Sequence, residues 1–106
     1  MNVFDHEWDD EGERQKARRL AAPGQTIGMA LYELPPGERQ RPDHVHDGAE
    51  QLLLVVLGNP TLRTPEGERM LEAGDVVHLR AGSAGAHQIW NALDEPARYV
   101  IAGSLA

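Results

Sequence analysis

From Thr26 onward the chain is a succession of short apolar runs cut by turn-forming residues, and that rhythm limits the folds open to it. TIGMALYEL runs into PPG, QLLLVVL into GNP and TLR into TPEG. ERMLEA stops at Gly74-Asp75, DVVHLR stops at AGSAG, and LDEP parts AHQIWN from ARYVIAG. No long helical period follows residue 23, and strands at this spacing predict an all-β sandwich or antiparallel barrel. Pro65 and Gly67 suit positions i+1 and i+3 of a type I turn, which predicts a hairpin over 60–72.

Several of these runs are apolar on both faces. In 26–34, Ile27, Met29 and Leu31 fall on one side and Ala30, Tyr32 and Leu34 on the other; in 51–57 every residue after Gln51 is Leu or Val. An antiparallel sheet in a lone domain normally keeps one solvated face and alternates. A second apolar face calls for a cover, most simply another copy of the chain, so a homodimer joined through sheet faces is expected.

Residues 1–23 differ in kind. Acids come first (Asp9, Asp10, Glu11, Glu13) and bases follow (Arg14, Lys16, Arg18, Arg19), an order that suits a helix dipole with Asp9 or Asp10 as cap. Gly12 opposes it, at about 1 kcal/mol relative to Ala inside a helix. The segment reads as an N-terminal arm, either a short helix or extended, ahead of a barrel domain over 24–106. Phe4 and Trp8 would pack on the body or on a second subunit.

With 106 residues the chain has room for one core. The absence of cysteine excludes disulfides, zinc ribbons and thiolate nucleophiles, so any metal must be held by histidine, carboxylate or amide. A net charge of −7 argues against nucleic acid as partner, because phosphate binding needs clustered Lys and Arg. The N-terminus carries neither a basic nor an apolar signal region, and no apolar run approaches the ~20 residues that cross a bilayer. The default expectation is a cytoplasmic protein with no membrane partner.

Chemistry concentrates in DHVHDGAEQ, residues 43–51. His44 and His46 stand at i and i+2, so on a strand they point to one side, as two imidazoles sharing a metal ion must. A third ligand must come from elsewhere, and His87 is the candidate; Asn91 has the same parity as His87. His78 fits the strand pattern but no ligand position, which suggests a partly buried or interface histidine, and His6 reads as solvated. Trp90 alternates to the outer face. Tyr32, Tyr99 and Arg80 are candidates for the barrel mouth, with structural roles the simpler reading.

Taken together, Gly37, His44, His46, Glu50 or Gln51, Gly58, Gly74, Gly82, His87 and Asn91 form a pattern that resembles the two motifs of the cupin superfamily. Three differences stand out. One extra residue separates Gly37 from His44, Arg80 replaces the proline of the second motif, and the loop before His87 is longer. The resemblance covers about 37–91 and implies a double-stranded β-helix, or jelly-roll barrel. It also implies a divalent metal site built from His44, His46, His87 and a fourth ligand. Counting back from Gly58 puts Gln51 at the acidic position, although the spacing from His46 admits Glu50 too; adjacent strand residues face oppositely, so only one reaches the metal.

That choice has chemical weight. With a carboxylate, three neutral imidazoles leave a divalent ion one net positive charge; with a carboxamide they leave both. A Gln site holds metal less tightly, polarises bound water more and attracts anions better. Fe, Mn, Ni and Zn all suit such ligands. The expected function is a metal-dependent enzyme, of oxygenase, isomerase or lyase type, acting on a small oxygenated substrate. The competing one is a non-catalytic module that binds or senses a small carboxylate or sugar. No catalytic residue is marked beyond Glu50, which would supply a base only if it faced the pocket.

Overall fold

Among the described residues nine strands run along the chain: β1 (Asp10–Glu11), β2 (Lys16–Arg19), β3 (Ile27–Leu34), β4 (Gln51–Leu57), β5 (Thr61–Thr64), β6 (Gly67–Met70), β7 (Val76–Leu79), β8 (Gln88–Trp90) and β9 (Ala97–Ser104). The computed structural model describes residues 2, 4, 7–12, 16–19, 27–40, 50–80 and 87–104. Among these residues there is no helix, so none is long and apolar enough to cross a membrane. His6, His44, His46 and Gly82 lie outside the described residues.

Two antiparallel sheets face each other across one core. The larger has the order β1-β2-β3-β9-β4-β7 and the smaller β6-β5-β8. Leu53, Val55, Val77, Tyr99 and Ile101 from the first sheet meet Leu62 and Ile89 from the second in a single buried cluster. The fold is the all-β jelly roll that the strand rhythm and the motif resemblance predict. The hairpin stands where Pro65 and Gly67 place it, with Thr64 opposite Gly67 and the Glu66 amide donating to Thr64 Oγ1 at 3.2 Å.

The helix considered for the arm is corrected. Lys16–Arg19 pair antiparallel with β3, Ala17 opposite Tyr32 and Arg18 opposite Leu31, and Asp10–Glu11 pair in turn with β2. The Asp9 carboxylate accepts from Arg18 Nη1 at 2.9 Å. A free edge on β3 offers a full ladder of hydrogen bonds, while an isolated short helix interrupted by Gly12 is marginal in water. Trp8 does pack on the body, with the Arg98 guanidinium 5.3 Å and the Lys16 ammonium 5.9 Å from its ring centre. Phe4 is exposed.

Gly58 ends β4 for a reason of space. Its φ is +77°, and a Cβ there would stand 2.5 Å from the Pro96 carbonyl oxygen. Only glycine relieves both the backbone conformation and the contact. This close approach holds the end of β4 against the start of β9, where the register shifts between Val55 and Leu57.

Candidate metal centre

The burial of β4 alternates: Leu53 and Val55 are buried, whereas Leu52 and Leu54 are exposed. Gln51 shares the parity of Leu53 and Val55 and is half-buried, so its side chain belongs to the inner face. Glu50 belongs to the outer side. Its carboxylate lies 2.6 Å from His78 Nε2, and both side chains are largely exposed. His78 sits opposite Leu52 across β4 and β7, on that same outer face.

Gly103 makes the room that Gln51 uses. The two are paired between β4 and β9, and Gly103 is paired with Gly28 on its other side. A Cβ on Gly103 would stand 2.9 Å from Gln51 Cγ and 2.7 Å from the Glu50 carbonyl oxygen. The Gln51 side chain therefore leans over the bare backbone of β9.

His87 and Ile89, with 4% and 0% of their surface exposed, front the core from the second sheet. The chain arrives alongside them before reaching the His44-x-His46 segment. Asn91 N donates to Glu38 O at 2.9 Å and Gln40 N donates to Ile89 O at 2.8 Å. Gln40 is thus hydrogen-bonded two residues from His87. Among the described residues no three His, Cys, Asp or Glu side chains gather as a metal site. Of the four expected ligands, the described residues are His87, which is buried, and Gln51, which has the parity of the inner face; an imidazole and a carboxamide oxygen are donors that suit a divalent ion.

Asn91 faces inward as its parity predicts, yet its amide is committed to structure. Nδ2 donates to Leu34 O at 3.0 Å and to Glu95 O at 2.7 Å, and Oδ1 accepts from Leu93 N at 3.3 Å. It pins the β8–β9 turn rather than serving a ligand. Trp90 points to the outer side, where the Arg39 guanidinium covers its ring at 4.7 Å. Arg80 is exposed at the rim of an open cavity of about 610 Å³ between the β5–β6 hairpin and β7. Tyr99 does not line a mouth: it is fully buried and stacked on Tyr32 with ring centres 5.4 Å apart. Burial pushes the Tyr99 phenol well above its usual range, with the neighbouring Tyr32 adding to it, and burial also raises Tyr32.

Gln40 is the residue that the sequence did not announce. Arg39 takes the outer side with Trp90, so its neighbour Gln40 turns inward, 3% exposed, across from Ile89. Its Oε1 is buried with no hydrogen-bond partner among the described residues, and so is the hydroxyl oxygen of Tyr99. Within ERQRPD a lone glutamine has no periodicity to betray it; only the pairing with β8 buries it.

The model of the cupin domain matches residues 30–103, most of the chain. The chain is a cupin. Solved relatives share the fold. A sugar phosphate isomerase of the cupin superfamily from Silicibacter pomeroyi is 28% identical, with a TM-score of 0.79 over 87% of this chain and 60% of that one. A Cupin 2 conserved barrel domain protein from Salinispora arenicola is 24% identical, with a TM-score of 0.75 over 87% of this cupin and 76% of its own length. A predicted oxalate decarboxylase from Thermotoga maritima is 21% identical, with a TM-score of 0.77 over 87% and 81%. No curated protein matches this cupin by sequence.

Proposed function

We propose that this cupin binds a divalent metal ion through His44, His46, Gln51 and His87 and holds a small oxygenated molecule beside it. The observation that carries the reading is the division of the Glu50-Gln51 pair. Gln51 stands on the inner face with Leu53 and Val55, and Glu50 stands on the outer side against His78. The position of Gln40, hydrogen-bonded to Ile89 two residues from His87, supports it further. Fe, Mn, Ni and Zn all suit three imidazoles and one amide oxygen. When bound, such an ion supplies Lewis acidity toward a carbonyl or hydroxyl oxygen. The chain's own part is to exclude water with Leu53, Val55 and Ile89 and to hold Gln51 over Gly103.

Two activities fit that site. Similarity to a sugar phosphate isomerase supports chemistry on a small oxygenated substrate. One observation favours a binding or sensing module instead. Glu50 is turned away from the interior, and the buried polar side chains among the described residues are Gln40, His87 and Asn91, none of them a carboxylate. General acid–base work wants a titratable group within reach of the substrate. The outer face of the large sheet, with Ile27, Met29, Leu52, Leu54 and Val76 exposed, supports a homodimer in which a second copy covers it.

Elemental analysis of protein purified without chelators or a metal-affinity column tests the metal. Stoichiometric metal in the wild type and its loss in His44→Ala are expected. Metal-free wild type would sink the proposal.

A further inference from the structure

One row of side chains crosses the large sheet on its outer side. Register sets Arg18, Leu31, Val100, Leu54 and Val76 abreast on β2, β3, β9, β4 and β7. Residues paired across strands share a face. Exposure along the row is graded: Leu31 is 0% and Val100 4% exposed, whereas Leu54 is 39% and Val76 63% exposed. The second sheet does not explain the sealed end, because neither Leu31 nor Val100 belongs to the core cluster between the sheets.

The N-terminal arm explains it. β1 extends the sheet beside β2, and Trp8, just ahead of β1, turns over the outer side. Its ring is shared by the Arg98 guanidinium and the Lys16 ammonium, which lie in the row next to Leu31 and Val100. Glu33 stands between those two cations, 2.7 Å from Arg98 Nη2 and 3.5 Å from Lys16 Nζ, and is mostly shielded from solvent. The arm therefore covers the β2–β3 end of the face and leaves the β4–β7 end open.

Charge on the face favours a second copy as the cover for the open end. The chain carries a net charge of −7, yet the carboxylates on the outer side of β3, on β4's outer corner and facing β7 are Glu33 and Glu50, and both are partnered. Two such faces meet without a free carboxylate opposing another, and each presents the same apolar strip to the other.

We propose that the arm is a cover in cis for one half of a self-association face, and that Trp8 fixes how far two copies overlap. With Trp8 in place, Leu52, Leu54 and Val76 are open to a second copy; without it the row is apolar from Leu31 to Val76. The inference rests on the outer face as the homodimer surface and adds what limits it. None of the metal ligands takes part.

Sedimentation velocity over a concentration series tests it on the full chain, with circular dichroism on each variant. Trp8→Ala leaves the β1–β2 pairing in place and bares Leu31 and Val100, so self-association should tighten at least about tenfold or continue past the dimer. Trp8→Phe keeps a ring over the row and should fall between Trp8→Ala and wild type. Phe4→Ala alters an exposed residue of the same arm and should match wild type. Adding Leu54→Glu to Trp8→Ala should return a monomer. Should Trp8→Ala fail to fold, Trp8→Phe carries the test, with tighter association expected and wild-type association overturning the proposal. Three further results overturn it: folded Trp8→Ala that associates like wild type, folded Trp8→Ala that associates more weakly, which would put Trp8 itself in the contact, or association that survives Leu54→Glu. A monomeric wild type beside an associating Trp8→Ala would sink the homodimer and uphold the arm as the cover.

Discussion

The two faces of the β3–β9–β4–β7 sheet are built from the same residue types and do different work. On the inner face, Leu53, Val55, Ile101 and Tyr99 are sealed against the second sheet, and the side-chain-poor row Gly28–Gly103 leaves space for Gln51. On the outer face, Ile27, Met29, Leu52, Leu54 and Val76 stay exposed beside a few ion pairs. Glu50 meets His78, and Glu33 takes Arg98 at 2.7 Å and Lys16 at 3.5 Å. Apolar character alone therefore does not distinguish a core from a surface here. Closure by a second sheet does.

The largest difference between the faces should appear in stability. Leu53→Ala opens a cavity in the sealed face and should cost about 2–5 kcal/mol in urea unfolding, whereas Leu52→Ala one residue away should cost under about 1 kcal/mol. Similar costs for the two would erase the distinction. Next comes metal retention. Gln51→Ala should weaken it at least about tenfold, the scale on which even outer-shell partners of a metal act, and Glu50→Ala should leave it unchanged. Titration with Zn(II) against a competing chelator reads both, and equal retention would return the fourth ligand to doubt.

How far the sequence reaches depends on which interactions are local. β3, β4 and β9 are long apolar runs bounded by proline and glycine, and the β5–β6 hairpin follows from Pro65 and Gly67 within a few residues. The arm was less legible, because its order of charges argues for a helix while its actual partner, β3, pairs Ala17 with Tyr32 fifteen positions on. Gln51 and Glu50 could be told apart only by counting to Gly58, since Leu and Val fill both parities of β4 and hide the alternation that burial displays. Gln40 and the His78–Glu50 contact were hidden for one reason: each depends on a partner brought in by a distant strand.

The outer face offers a smaller and purely associative test. Leu54→Glu places a charge among Met29, Leu52 and Val76, where a second copy would have to desolvate it. Light scattering after size exclusion should report a dimer for the wild type and a monomer for the variant, with the fold retained in circular dichroism. A monomeric wild type would leave the apolar outer face without the cover proposed for it.

The smallest effect at neutral pH lies deepest in the inner face. Tyr99 and Tyr32 are both pushed up by burial, so the folded chain holds phenolic protons that the unfolded chain releases near pH 10. The folded state then binds more protons than the unfolded one, and stability falls as pH rises above that point; below it the full contribution is present. Exposed Tyr groups would show no such limb. Melting temperature followed from pH 8 to 11 should therefore drop for the wild type and drop less for Tyr99→Phe, which lacks the more strongly shifted phenol. At pH 7 the two proteins should differ little, in line with a hydroxyl that has no hydrogen-bond partner among the described residues. An equal alkaline drop in both would place the titrating group elsewhere and take Tyr99 off the inner face's list of sealed residues.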